Sequence, residues 1–134
     1  MFAVTQEIDF CYGHRLLNYD GKCRFLHGHN GKIEVLLEGD QLDHRGMLVD
    51  FTDIKQLLRT WIDDNLDHQM LLSEADPLLP LLQAQRQPVF IMNCNPTAEN
   101  IARVVFEQAI RLGLPAREVR LWETPRSSSR YRVD

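Results

Sequence analysis

Lys22-Cys23-Arg24-Phe25-Leu26-His27-Gly28-His29-Asn30-Gly31-Lys32-Ile33-Glu34-Val35-Leu36-Leu37-Glu38 decides how the chain is read. Ile33, Val35 and Leu37 alternate with Lys32, Glu34 and Leu36, the period-2 pattern of a strand with one face buried. Successive strand side chains point to opposite faces, so His27 and His29 fall on the same side. His14, on the preceding extended segment, is placed to bring a third imidazole to them. Three nitrogens around one point form the ligand set of a catalytic zinc site, which keeps its fourth position open. Cys23 lies just outside the histidine pair, close enough to share a pocket without ligating.

Outward from this stretch, Phe2 to Phe10 reads as a strand carrying Phe2, Val4, Ile8 and Phe10 largely on one face. Cys11 to Leu16 continues it, with Gly13 marking a bulge or a close backbone approach. Asn18 to Gly21 supplies turn chemistry. On the other side, Gly39-Asp40 and Asp43-His44-Arg45-Gly46 form a turn, after which Met47 to Phe51 is expected to return as a strand in a long antiparallel hairpin. Thr52 caps the helix that follows. Its stripe is Ile54, Leu57, Leu58, Trp61 and Ile62, and Asn65 to His68 lies at its end. Leu71 to Gln87, broken by Pro77 and Pro80 and bounded by Pro88, is expected to be irregular. Val89 to Met92 reads as a short buried strand. Asn95-Pro96-Thr97 opens a second helix, with proline in its first turn, the stripe Ile101, Val104, Val105, Gln108 and Leu112, and Gly113 at its end. Glu118 to Glu123 is a strand, stopped at Thr124-Pro125, and Ser127 to Val133 pairs as a final edge strand. The pattern gives one α+β domain over residues 1–134, an antiparallel sheet with two helices on one face.

Composition narrows the classes of function. A chain of 134 residues fits one domain with a real core. No apolar run reaches the roughly 18 residues that span a bilayer. The first ten residues lack the charged and apolar regions of a signal peptide. Fifteen basic against nineteen acidic side chains give a net charge of −4 with no basic run, which disfavours direct nucleic-acid binding. Three cysteines without close pairing fit a reducing cytoplasm better than a disulfide framework.

Motifs along almost the whole chain, in order, resemble the 6-pyruvoyl-tetrahydropterin synthase / 6-carboxy-tetrahydropterin synthase family. They are His14, then Cys23-x3-His27-Gly28-His29-Asn30, Gly46-Met47-Leu48-Val49-Asp50-Phe51, Leu66-Asp67-His68, Asn95-Pro96-Thr97-Ala98-Glu99-Asn100 and Glu123-Thr124-Pro125. The resemblance implies the tunnelling fold, in which four-stranded antiparallel sheets with two helices on one face close into an oligomeric barrel. A dimer of trimers is the usual assembly, with active sites between subunits. It also implies zinc on His14, His27 and His29, Cys23 as catalytic base, and Asp67 with His68 completing a Cys-His-Asp relay. Glu123 would hold the guanidine-like edge of a pterin, assisted by Thr97, with Glu99 either a substrate contact or a helix-terminus carboxylate.

The substrate so implied is 7,8-dihydroneopterin triphosphate. The first choice of product is 6-carboxy-5,6,7,8-tetrahydropterin with acetaldehyde and triphosphate, feeding the queuosine and related 7-deazapurine pathway. The alternatives are 6-pyruvoyl-tetrahydropterin, a non-catalytic zinc- or pterin-binding oligomer, and a purely structural zinc domain. Arg15, Lys22, Arg24 and Lys32 are candidates for the triphosphate. Cys11 and Cys94 read as packing residues, and His44 as solvated surface. The chain departs from the family pattern at Gly31, where a bulky residue is common, and at Cys11-Tyr12-Gly13, where small alanine-like residues are common. Cys23 disfavours the subgroup that carries glutamate there.

Overall fold

A computed structural model describes residues 1–134. Two long strands dominate it: β1 (Phe2–His14) and β2 (His27–Gly39), antiparallel and paired in unbroken register from Phe2 opposite Gly39 to His14 opposite His27. They are joined through a 3₁₀ turn, Lys22–Arg24. Directly opposed residues share a face, so this register puts Ile8, Phe10, Tyr12 and His14 on one side with Ile33, Gly31, His29 and His27. Cys11, Asn30, Asp9 and Lys32 take the other.

The helix α1 runs without a break through Phe51–Ile54, Lys55–Arg59 and Thr60–Asn65, its middle segment π-type. Next come β3 (Gln69–Ser73), α2 (Leu79–Ala84), β4 (Val89–Met92), α3 (Ala98–Arg111), β5 (Ala116–Thr124) and β6 (Ser127–Arg132). The sheet has six strands, not four, in the order β4-β3-β1-β2-β5-β6. It is mixed, because β3 runs parallel to both β1 and β4. The α+β class and the packing of the helices on one face match the sequence reading.

The hairpin expected from Met47 to Phe51 does not form. Both edges of β2 are already occupied, by β1 and by β5, so the segment has no ladder to join. Instead Asp43 accepts from the backbone N–H of Arg45 and Met47, closing a turn through Gly46 at φ +82°. Asp50, rather than Thr52, caps α1: its carboxylate accepts the Thr52 N–H at 2.8 Å. Leu71 to Gln87 is also more regular than its prolines suggested. Pro80 lies in the first turn of α2, where no N–H is needed, and the Pro88 carbonyl accepts the Met70 N–H just before β4. Pro96 precedes α3, whose cap is Thr97 Oγ1 on the Asn100 N–H.

Ile54, Leu58, Ile62 and Leu66 line the buried side of α1, while Leu57 is exposed. A four-residue repeat drifts around an ordinary α-helix, which advances about 400° in four residues. The wider π turn offsets that drift and leaves Leu57 off the stripe. In α3, Ile101, Ala102, Val105, Phe106 and Ala109 are buried against β5 and β6. These residues and the inner face of the sheet form one core containing Ile8, Phe10, Tyr12, Ile33, Val35, Leu37, Val119 and Leu121. Each large side chain so buried contributes about 1.5–3 kcal/mol. The three-histidine end of β1 and β2 is therefore an extension of the packed core. No helix is long and apolar enough to cross a membrane.

Candidate metal centre and active site

His14 closes β1 and His27 opens β2, and their cross-strand pairing brings the rings together, with His29 two residues along. Ring centroids are 4.5 Å apart for His14 and His27 and 5.1 Å for each of the other two pairs. Each ring offers one nitrogen to a common point, and the three lie within 4.8 Å of one another. The Nε2 atoms of His14, His27 and His29 are all buried and have no hydrogen-bond partner. A buried unpartnered acceptor is costly, and three converging on one point are costlier still.

The opposite ring nitrogens explain the orientation. His14 Nδ1 is 2.7 Å from the Pro96 carbonyl and His27 Nδ1 is 2.7 Å from the Phe25 carbonyl, so both carry the proton on Nδ1 and turn an Nε2 lone pair inward. Burial pushes the His14 pKa down, helped by the neighbouring imidazoles and opposed by the Pro96 carbonyl and Glu123, so this ring is neutral at pH 7. Three buried, unpartnered Nε2 atoms brought together in this way fit a zinc-type cation with one open position.

Glu123, near the end of β5, reaches the same place. Its carboxylate oxygens stand 3.8 Å from His14 Nε2 and 3.9 Å from His29 Nε2, and Oε1 accepts the Tyr12 hydroxyl at 3.2 Å. Burial first, then the Glu123 charge, drives the Tyr12 phenol strongly upward, so it remains a donor. Tyr12 and Gly31, both departures from the family pattern, prove to be one feature. The Tyr12 ring occupies the space a side chain at residue 31 would take: a Cβ there would lie 2.9 Å from Tyr12 Cε1, 3.2 Å from Phe10 Cε1 and 3.3 Å from Leu121 Cδ1. At Gly13 the strand is regular, and the close approach is that of the Met70 side chain.

A cavity of about 200 Å³ gathers His14, Cys23, Thr97, Glu99 and Glu123, with Ser127 to Ser129 closing one side. Thr97 is there because it caps α3, and Glu99, in the first turn of that helix, accepts the Ser129 hydroxyl at 2.7 Å. The three serines were not among the candidates. Their signal is weak in sequence, because only the pairing of β6 with β5 brings them to the site.

Asp67 and His68 are elsewhere in the chain. The turn that leads from α1 into β3 holds His68 in the left-handed region, φ +59°, and its N–H donates to the Cys11 carbonyl at 2.7 Å. Asp67 Oδ1 accepts the Cys11 N–H at 2.9 Å, and Oδ2 lies 2.8 Å from His68 Nδ1. Burial alone would raise the Asp67 pKa, but these two donors more than offset it and hold the carboxyl below its usual range. Cys11 Sγ is 3.5 Å from both nitrogens of His68. Within one chain, then, the thiol beside the Asp67–His68 pair is Cys11, while Cys23 lines the smaller cavity beside His14. Cys11 and His68 border a larger cavity of about 610 Å³, whose lining also includes His27, His29, Asn30 and Met70.

Of the basic candidates, Arg15 is committed: its guanidinium clamps the buried Asp76 carboxylate, with Nε 2.8 Å from Oδ2. Lys32 pairs with Glu7 and Glu34 on the outer face. Arg24 lies over the Phe25 ring and donates to the Asp20 carbonyl.

The family model described as 6-pyruvoyl tetrahydropterin synthase matches residues 3–134. A Rickettsia conorii protein named 6-carboxy-5,6,7,8-tetrahydropterin synthase is 39% identical over 104 residues, 76% of this chain and 75% of that one. A Haemophilus influenzae protein of the same name is 34% identical over 98% of this chain and 99% of its own. Among solved structures, an uncharacterised Wolinella succinogenes protein superposes with a TM-score of 0.81 at 27% identity, covering 99% of this chain and 98% of that one. The Caenorhabditis elegans 6-pyruvoyl tetrahydropterin synthase gives 0.69 at 25% identity, over 100% and 98%. On the match along nearly its whole length and on these relatives, the chain belongs to the 6-pyruvoyl tetrahydropterin synthase family.

Proposed function

We propose that this protein is a zinc-dependent 6-carboxy-tetrahydropterin synthase, a lyase that converts 7,8-dihydroneopterin triphosphate to 6-carboxy-5,6,7,8-tetrahydropterin, acetaldehyde and triphosphate. The observation that carries the reading is the convergence of three buried, unpartnered Nε2 atoms beside a cavity that also holds Cys23 and Glu123. The names of the relatives favour the 6-carboxy product over the 6-pyruvoyl one. On this reading the reaction supplies the queuosine and 7-deazapurine pathway of the cytoplasm.

His14, His27 and His29 hold the metal. Its contribution when bound is Lewis-acid polarisation of the oxygens on the substrate's three-carbon side chain. Cys23, as thiolate, takes a proton from that side chain. Glu123 accepts the N–H donors of the pterin edge, held in place by the Tyr12 hydroxyl, and Thr97 borders the same site. Asp67 fixes the His68 tautomer and stabilises its protonated form, so that His68 exchanges the proton with the thiol.

The cavity that holds Cys23 and Glu123, about 200 Å³, falls short of the roughly 300–1,000 Å³ of a complete small-molecule site, and the cavity of about 610 Å³ that includes His27 and His29 contains neither residue. That difference, with Cys23 and His68 lining separate cavities, supports a site completed by a second copy in a homo-oligomer, a dimer of trimers by resemblance. The test is turnover by wild type and Cys23→Ala, both zinc-loaded. The reading requires turnover by wild type and loss of at least about 100-fold in the variant. Undiminished turnover in Cys23→Ala removes Cys23 as the base, and tight substrate binding without wild-type turnover favours the pterin-binding oligomer.

A further inference from the structure

The register of β3 on β1, with Tyr12 opposite Gln69, sets residue 11 beside residue 68 and builds a second cluster of ligating side chains apart from the three histidines. We propose that Cys11, Asp67 and His68 form a second, thiolate-containing site for a zinc-type divalent cation. Their ligating atoms lie within 4.8 Å of one another.

The sulfur–nitrogen distance is one a tetrahedral ion asks for. Bond lengths of about 2.3 Å to sulfur and about 2.0–2.1 Å to nitrogen place two ligands about 3.6 Å apart. Cys11 Sγ and His68 Nδ1 are 3.5 Å apart as they stand. Asp67 Oδ2 and His68 Nδ1, at 2.8 Å, share a proton and must open to about 3.3 Å to admit a cation between them. The His68 side chain is 79% exposed and makes that movement freely. Asp67 remains anchored through Oδ1 on the Cys11 N–H, and the His68 backbone through the Cys11 carbonyl, so only the His68 ring, whose two nitrogens now stand equally far from Cys11 Sγ, must turn to aim one of them at a cation. The left-handed backbone at His68 costs about 1 kcal/mol or more and is maintained by these bonds. Binding releases one proton, from the thiol, and moves the ring proton of His68 to Nε2. A fourth position then faces the cavity of about 610 Å³.

The cluster contains sulfur, nitrogen and oxygen donors, whereas the three-histidine centre contains nitrogen alone. This difference makes the two sites separable by spectrum. On the proposed pterin reading, a cation at Cys11 would occupy the nitrogen and the carboxylate that serve proton exchange. The inference itself does not rest on that reading; only the second equivalent counted below belongs to the three-histidine centre.

The experiment is titration of the metal-free full chain with Co²⁺ under anaerobic conditions and a thiol-free reductant. Two equivalents are expected to bind, one of them raising a near-ultraviolet thiolate-to-cobalt charge-transfer band. Cys11→Ala loses the band and one equivalent; Cys23→Ala and His27→Ala keep the band. Asp67→Asn weakens the band-producing site about tenfold or more and leaves the other equivalent unchanged. A wild-type protein without the band, a band that survives Cys11→Ala, or a band that disappears in Cys23→Ala overturns the proposal.

Discussion

Exchanging the aromatic ring between residues 12 and 31 tests whether the two unusual positions beside the metal centre are one packing unit. The Tyr12 ring is 3% exposed, stacks on Phe10 with centroids 5.1 Å apart, and fills the volume above Gly31. Tyr12→Ala empties that volume, a loss of about 3–5 kcal/mol for a large aromatic in a core. Gly31→Phe alone drives a side chain into Tyr12, Phe10 and Leu121, all within 3.3 Å of its Cβ, and costs at least about 1–3 kcal/mol. In the double variant the new ring enters the vacated space, so the losses do not add. A favourable coupling of about 2 kcal/mol or more is expected, against about 0.3–0.5 kcal/mol for independent sites. Urea unfolding of the four proteins, compared at equal m-values, measures it. Additive losses would refute the idea that Tyr12 stands in for a side chain at residue 31.

The remaining predictions concern the site and its supports. Tyr12→Phe keeps the ring and removes only the donor to Glu123; it is expected to raise KM for the pterin substrate about five- to tenfold with little change in kcat, while an equal fall in kcat and kcat/KM at unchanged KM would show that the hydroxyl acts in the chemical step. Chelation is expected to abolish activity yet leave the far-ultraviolet spectrum unchanged, because the histidines extend a core that stands without metal; loss of helical signal would instead mark a structural zinc domain. Burial raises the Asp76 pKa, but the Arg15 guanidinium and the Leu78 N–H outweigh it and hold the folded value below the ordinary 3.8. The stability this contributes is complete above pH 3.8 and fades as pH falls through the folded value; Asp76→Asn is expected to lower stability at pH 7 and to flatten this acid limb in pH-dependent unfolding. Thr97→Ala removes the cap of α3 and is expected to cost about 1 kcal/mol, read as a small drop in Tm.

The features that depend on local pattern were legible in the sequence. The two-residue spacing of His27 and His29, with the alternation that follows, fixes their shared face, and strand pairing then makes His14 the third nitrogen. The helix α3, its stop at Gly113 with φ +84°, and the final strand through Tyr131 follow equally from periodicity and backbone preference, although the buried face of α3 is Ile101, Ala102, Val105, Phe106 and Ala109 rather than the expected stripe through Val104, Gln108 and Leu112. What was illegible depends on competition between distant segments. Met47 to Phe51 has the composition of a strand and fails to become one because β5, arriving much later in the chain, takes the edge of β2. Leu71 to Leu72 has no alternation because β3 is interior, flanked by β1 and β4 and buried. Cys11 reads as a packing residue until the parallel register of β3 sets it against His68. The Arg15 charge, assigned to a triphosphate from local basicity, is taken by an aspartate 61 residues away.

Product analysis tests the central claim most directly. Zinc-loaded protein is incubated anaerobically with 7,8-dihydroneopterin triphosphate, and the pterins and acetaldehyde are measured by mass spectrometry. The account predicts 6-carboxy-tetrahydropterin with one acetaldehyde per turnover. A 6-pyruvoyl product without acetaldehyde, or no consumption of substrate by the metal-replete oligomer, would contradict it.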